Sequence, residues 1–290
     1  MTLIVFVLTE EYMILASDRR VTTTLAGKPV RFEDSAMKSF LLNGQVMMGF
    51  TGIAELDGKT MERWVAATLA GVAPNDMPGA LRDGMAEYYS RHPEVAGVPH
   101  HFRLAGFAFN PTRSPSTFPI GYEVSNASWI ANGDRVAYAN VGEFRVAQNA
   151  FGNRKQAVGA VGAPYSLKAL RSLEGLVRHH RRANPVDPSS LYQPIVRFIR
   201  EVADRSGGTV GKTILVASIP RSAVPVHEPG WALPVGDALP IFAREHPTAL
   251  VFPEDSDAAI IDLPALIYPG VQMTGFRLQR QDGAPETPGE

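Results

Sequence analysis

A chain of 290 residues with 45% hydrophobic and 20% charged residues can bury a substantial core, as one large domain or as one domain with an extension. Its net charge of −1 argues against nucleic-acid or anionic-membrane binding driven by bulk charge, since both need clustered Lys and Arg. The absence of cysteine excludes disulfides, thiolate zinc sites and a Cys nucleophile, and it fits a reducing compartment.

The opening MTLIVFVL is apolar but lacks a basic flank and meets Glu10-Glu11 within a few residues. It reads as a strand, not as a signal peptide or a membrane span, and a cytoplasmic location is the default expectation. Residues 3 to 9 and 12 to 17 are apolar and β-branched on either side of Glu10-Glu11, and Asn43-Gly44 divides Met37 to Leu42 from Gln45 to Thr51. Both pairs predict hairpins. Met61, Trp64, Val65 and Leu69 recur at helical spacing, and a second helix places Leu81, Met85, Tyr88 and Tyr89 on one face before His92-Pro93.

Strand character returns over residues 102 to 109, about 120 to 131, about 134 to 146 and about 155 to 161, with the Pro/Ser/Thr-rich stretch 111 to 119 as a surface loop. Pro164 opens a helix bearing Leu167, Leu170, Leu173 and Val177, and Asp187-Pro188 precedes another bearing Ile195, Phe198, Ile199 and Val202. The basic run Arg178 to Arg182 falls at the end of the first of these, where cations favour the helix dipole without any partner. Thr213 to Ile219 closes the core as a strand. Strands, two helices, strands, two helices and a strand fit an α+β arrangement of two stacked sheets with helices on both outer faces. Beyond residue 220 the chain becomes Pro-rich with short apolar runs at Thr248 to Phe252 and Ala259 to Ile267, an extension expected to drape on the core. Residues 281 to 290 are polar and Gly/Pro-rich and are expected to be disordered.

Several tempting motifs fail on context. Gly207 to Thr213 reads GGTVGKT, but the first glycine of a phosphate loop would fall on Ser206, and the segment follows a helix and opens a strand. His100-His101 and His179-His180 lack a carboxylate at ligand spacing, so no metal and no cofactor is expected. Asn126-Ala127-Ser128 is formally a glycosylation sequon, which carries no weight without a secretory signal.

The chemistry concentrates near the start. Removal of Met1 from a small residue is expected, and Thr2 would then carry a hydroxyl nucleophile and an α-amine base on one residue. A free α-amine titrates near pH ~8, so at neutral pH an appreciable fraction can take the hydroxyl proton. Thr2, Asp18-Arg19-Arg20, Lys38 and Gly52 can form one site.

In that order and spacing, the strand from Thr2, the run Ala16 to Thr22, Lys38 and the run Phe50 to Ala54 resemble the proteasome β-subunit family of N-terminal nucleophile (Ntn) hydrolases, including the HslV peptidase and Anbu-type proteins. The resemblance spans residues 2–219 and implies a four-layer αββα sandwich, with residues 220–280 as a C-terminal extension. It implies that Thr2 attacks an amide carbonyl, that Lys38 lowers the proton affinity of the hydroxyl and amine, and that Asp18 holds Lys38 charged. The Gly52 N–H would face the oxyanion. Backbone groups of Thr22, Gly52 and Ala54 would hold an extended peptide as an added strand. Val21, Ala36, Phe40, Phe50 and Ala54 would line an apolar specificity pocket.

The later half departs from the family pattern. Ala163 stands where active members often carry a serine touching the nucleophile's amine. Ser206-Gly207-Gly208 resembles the family's Ser-Gly-Gly, making Ser206 an amine-orienting candidate, but Asp204 precedes it by two residues, one closer than the usual aspartate. The resemblance further implies a homo-oligomeric ring acting on peptides or unfolded chains, with no partner ATPase named by the sequence. Three other readings stay open: an amidase or acylase for small substrates, a ring or scaffold subunit without turnover, and an unrelated α+β binding domain. In the last two, Thr2 is an ordinary strand residue and Asp18 with Lys38 a structural ion pair.

Overall fold

The computed structural model describes residues 2–25, 28–34, 36–42, 46–73, 75–109, 117–149, 156–184, 187–221, 248–256, 260–262, 265–268, 271–273 and 277–278. The predicted first hairpin is β1 (Leu3–Thr9) with β2 (Tyr12–Asp18), and every residue of both strands is buried. The Thr9 hydroxyl closes their turn, accepting the Tyr12 N–H at 2.9 Å and donating to the Tyr12 carbonyl at 2.8 Å. Among the described residues β3 (Val21–Leu25) and β4 (Lys28–Glu33) pair only with each other, as a small antiparallel pair, with Ala26-Gly27 outside the described residues. β5 (Ser39–Leu42) and β6 (Val46–Thr51) form the second predicted hairpin, with Asn43-Gly44 also outside the described residues.

A short pair, β7 (Glu55–Leu56) and β8 (Lys59–Thr60), leads into the predicted helices α1 (Met61–Thr68) and α2 (Met77–Arg91). Pro78 suits the first turn of α2, and His92, preceding Pro93, is disfavoured in helical conformation and ends it. Next come β9 (His101–Phe109), β10 (Thr117–Asn132), β11 (Arg135–Asn149) and β12 (Gln156–Gly162). The expected loop 111 to 119 is corrected at its end, because residues 117–119 already belong to β10, with Pro119 opposite Phe107. Among the described residues β11 begins to pair only at Gly121, so the missing N–H of Pro119 leaves no β11 hydrogen bond unmade.

β13 (Tyr165–Ser166) precedes α3 (Leu167–Ala183), which starts three residues after Pro164 because Ser166 is its N-cap and accepts the Ala169 N–H at 3.0 Å. α4 (Tyr192–Arg205) and β14 (Ile214–Pro220) follow as predicted. The chain then supplies β15 (Thr248–Phe252), β16 (Ile260–Asp262), β17 (Ala265–Tyr268), β18 (Val271–Met273) and β19 (Arg277–Leu278). Residues 222–247 and the tail 281–290 lie outside the described residues.

One sheet runs β12-β1-β2-β14-β15-β16-β19 and the other β13-β11-β10-β9-β6-β5-β17-β18. Alternation within β1 explains its continuous apolar sequence. Leu3, Val5 and Val7 share a core with Leu173, Val177, Ile195 and Ile199 of α3 and α4, whereas Ile4, Phe6 and Leu8 share one with Leu41, Met47 and Phe107 of the second sheet. A third core joins the other side of that second sheet, through Phe40, Met48 and Phe102, to Met61, Val65, Leu81 and Met85 of α1 and α2. Strands from beyond residue 220 widen both sheets, β15 antiparallel to β14 and β17 parallel to β5. Among the described residues no helix is long and apolar enough to cross a membrane.

Candidate active site

Strand register brings the residues singled out in the sequence to one end of the two sheets. In the first sheet Leu3 lies opposite Gly162, Ile4 opposite Ser17, and Ile214 opposite Asp18. In the second, Ser39 lies opposite Gly49 and Thr51 opposite His101, so Lys38 enters β5 and Gly52 leaves β6 at the same end. The sheets are tied there by a buried hydrogen bond shared between the Ser17 and Ser39 hydroxyls at 2.9 Å.

Next to that bond, Lys38 Nζ donates to Asp18 Oδ2 at 2.9 Å, with side-chain exposures of only 1% and 0%. The carboxylate is a hub. Its Oδ1 accepts the Leu3 N–H at 2.8 Å, and its Oδ2 accepts the N–H groups of Arg20 and Gly211, each at 3.1 Å. Lys38 also donates to the Arg20 carbonyl. Burial draws the Lys38 ammonium below its ordinary value, and the Asp18 charge opposes that shift. A single carboxylate therefore connects the ammonium of Lys38 to the backbone of the residue after Thr2.

Thr2 itself is 7% exposed, and its carbonyl accepts the Ala163 N–H at 2.7 Å. That contact requires glycine at 162. Gly162 has φ +108°, and a Cβ there would stand 2.1 Å from the Thr2 carbonyl oxygen. Met1 lies outside the described residues. Gly52 is exposed, has φ +112°, and its N–H makes no hydrogen bond to any described residue, so a donor is available to an incoming group.

The remaining sequence candidates fall into two groups. Val21, Thr22, Ala36 and Ala54 are half-buried at the strand ends, with the Ala36 N–H donating to Arg19 and the Ala54 carbonyl accepting from Met61. Phe40 and Phe50 are 1% and 3% exposed, stacked at 5.7 Å, and packed with α1 and α2, so their rings belong to a core and not to an open pocket wall. Ser206 closes the end of α4: its hydroxyl donates to the Ala203 carbonyl at 2.8 Å and accepts the Val210 N–H at 3.1 Å. Asp204 points away from this work too, since its carboxylate, 59% exposed, pairs with Lys212 at 2.8 Å. The geometry thus brings Thr2, Asp18, Lys38 and Gly52 to one end and spends Ser206 and Asp204 elsewhere.

Sequence reasoning placed Arg20 in the site without a role and missed the other residues that hold this cluster. Arg20 supplies a carbonyl to Lys38, while its guanidinium grips Asp34 at 2.6 and 2.7 Å and the Gly208 carbonyl at 3.1 Å, tying the β3–β4 hairpin to the turn after α4. The Asp34 carboxyl is held below its ordinary range by that guanidinium. Gly211, inside the rejected GGTVGKT segment, donates to Asp18, and a Cβ there would approach Arg20 Cβ to 2.7 Å. His100 and Asn126, set aside as a metal pair and a sequon, are both fully buried behind Gly52. The only available signal was a polar residue inside an apolar run. Among the described residues no group of three or more His, Asp or Glu side chains is placed to hold a metal ion.

No protein-family model and no curated protein matches this sequence. Among solved structures, the chain is similar to a Gly-1 mutant of Anbu from Hyphomicrobium sp. strain MC1, with 11% sequence identity, a TM-score of 0.42, and coverage of 79% of this chain and 85% of that one.

Proposed function

We propose that this chain is an N-terminal threonine hydrolase on a four-layer αββα scaffold spanning residues 2–219, with peptides as the substrate class. The observation that carries the reading is the fully buried Asp18–Lys38 pair whose carboxylate also holds the amide next to Thr2. A buried ion pair is a poor way to gain stability, because desolvation offsets much of its attraction. Joined to the residue after Thr2 through the Leu3 amide, it suits the electrostatic task of easing proton removal from the Thr2 hydroxyl.

The reaction follows from these roles. With Met1 removed, the Thr2 α-amine takes the hydroxyl proton as Oγ1 bonds to the amide carbon, and the Gly52 N–H donates to the oxygen that gains charge. The amine then returns that proton to the leaving nitrogen as the C–N bond breaks, leaving an ester on Thr2. Water, deprotonated by the same amine, attacks the ester carbon, and the Thr2 hydroxyl is restored as the acid departs. Lys38 stays protonated throughout and favours the neutral amine and the developing alkoxide. The half-buried Val21, Thr22, Ala36 and Ala54 supply an edge and small apolar walls for an extended chain. A cytoplasmic homo-oligomeric ring enclosing such sites would restrict substrates to unfolded chains.

A second reading has its own support. Ser206 is committed to a turn, Asp204 to Lys212, and Ala163 offers only its amide, so no side chain among the sequence candidates is given to orienting the amine. A scaffold subunit without turnover would look like this. Intact mass spectrometry of untagged protein with a peptide epoxyketone, which needs both hydroxyl and free α-amine, separates the readings. Loss of Met1 and one adduct, absent in Thr2→Ala, is expected; retained Met1 would turn the assignment to the scaffold. Peptide and small-amide panels then divide peptidase from amidase.

A further inference from the structure

The ring of His100 lies directly behind Gly52. It is 0% exposed, and its Nδ1 accepts the Ile53 N–H at 3.2 Å. A Cβ on Gly52 would sit 2.6 Å from that same nitrogen. The His100 backbone is in turn fixed by a β-bulge between Ser125 and Ala127: its N–H donates to Asn126 Oδ1 at 2.7 Å, and its carbonyl accepts the Asn126 N–H at 3.3 Å and the Ser125 hydroxyl at 3.1 Å. Phe102 meets the ring edge-on, with the ring centroids 4.6 Å apart.

To accept a hydrogen bond Nδ1 must be unprotonated, so the neutral ring carries its proton on Nε2. Burial drives the imidazole down to about 3, which keeps it neutral wherever the protein is folded near neutrality. Nε2 is buried without a hydrogen-bond partner among the described residues. Leaving a buried polar group unpaired is costly, a cost that an apolar residue of similar size would avoid. The one thing an apolar residue could not do is hold Ile53.

We propose that His100 is the positioning residue of the oxyanion donor, locking the Gly52–Ile53 backbone from behind through Ile53 so that the Gly52 N–H is oriented before substrate arrives; the inference rests on the hydrolase reading above. Asn126 and its bulge are the support that holds the ring.

The test compares His100→Asn, whose Oδ1 can stand in for Nδ1, with His100→Leu, which fills space but accepts nothing. Turnover of a fluorogenic peptide is measured beside hydrogen exchange of the Ile53 amide. In His100→Leu, Ile53 exchange accelerates and kcat falls on the order of 10²-fold with KM little changed, as expected for a reacting group held out of place. His100→Asn restores kcat to within about threefold and restores Ile53 protection. Wild-type kcat in a folded His100→Leu, or an Asn variant as impaired as the Leu one, overturns the assignment. Should His100→Leu fail to fold, His100→Gln replaces it, since its acceptor reaches only the Nε2 end. A wild-type protein inert to peptides and epoxyketone overturns the hydrolase reading and the catalytic role together. Ile53 exchange that still responds to His100→Leu would then identify the hydrolase reading as the part that failed.

Discussion

The hub at Asp18 predicts an asymmetry between the two members of the buried pair. Lys38→Met removes one charge-assisted bond but leaves Asp18 the N–H groups of Leu3, Arg20 and Gly211 at 2.8, 3.1 and 3.1 Å. A carboxylate with three backbone donors is partly compensated even in a dry site, so the expected loss is about 3 kcal/mol. Asp18→Ala instead strands the buried amides of Leu3 and Gly211, the part-buried amide of Arg20, and an ammonium whose remaining partner is the Arg20 carbonyl. At about 1–3 kcal/mol for each stranded group, the loss is about 5 kcal/mol or more even if Lys38 deprotonates in place. With an urea m-value of about 2 kcal/mol/M, the two midpoints should differ by on the order of 1 M, with Asp18→Ala the lower. Urea unfolding of both variants, followed by tryptophan fluorescence and far-UV circular dichroism, measures it. A Lys38→Met protein as destabilised as Asp18→Ala would refute the idea that the carboxylate organises this site.

His100 ties stability to acid. Its folded-state value is lowered to about 3 from 6.5, first by burial, so between these limits the unfolded chain binds a proton that the folded chain does not. Stability is therefore lost as pH falls below 6.5, approaching about 1.4 kcal/mol per pH unit, and is unaffected by this group above that. Relative to His100→Asn, the wild type should lose about 2 kcal/mol between the ordinary imidazole value and about pH 4.5; parallel pH profiles in urea would contradict the buried neutral ring. For residues committed away from Thr2, Asp204→Asn should alter stability by less than about 0.5 kcal/mol, given its exposure and surface partner, and Ser206→Ala should cost about 1 kcal/mol through the α4 turn, both with kcat unchanged. A fall in kcat on the order of 10²-fold in Ser206→Ala, at constant KM, would restore it as an amine-orienting group.

Local pattern was enough for the main hairpins and for α1 to α4, though not for β3, β4 or the short β7 and β8. Apolar runs covered on both faces read as strands in β1 and β2, helical spacing placed α1 to α4, and His92-Pro93 ended α2, because each of these signals depends on neighbours a few residues apart. The pairing of Asp18 with a buried Lys38 was legible through a family-like order of residues; the three backbone donors that the carboxylate also gathers were not. Gly211 reaches Asp18 across 193 residues of chain, and no periodicity encodes such a meeting. The same holds for the strands after residue 220, whose apolar runs were visible but whose insertion beside β14 and β5 depends on which sheet edges stand open in the folded chain. Polar residues were read least well. Ser206, Asp204, His100 and Asn126 each had chemistry to offer in the sequence. Which group each one bonds is decided by distances of about 3 Å set by the packing of sheets and helices, and so by the tertiary structure alone.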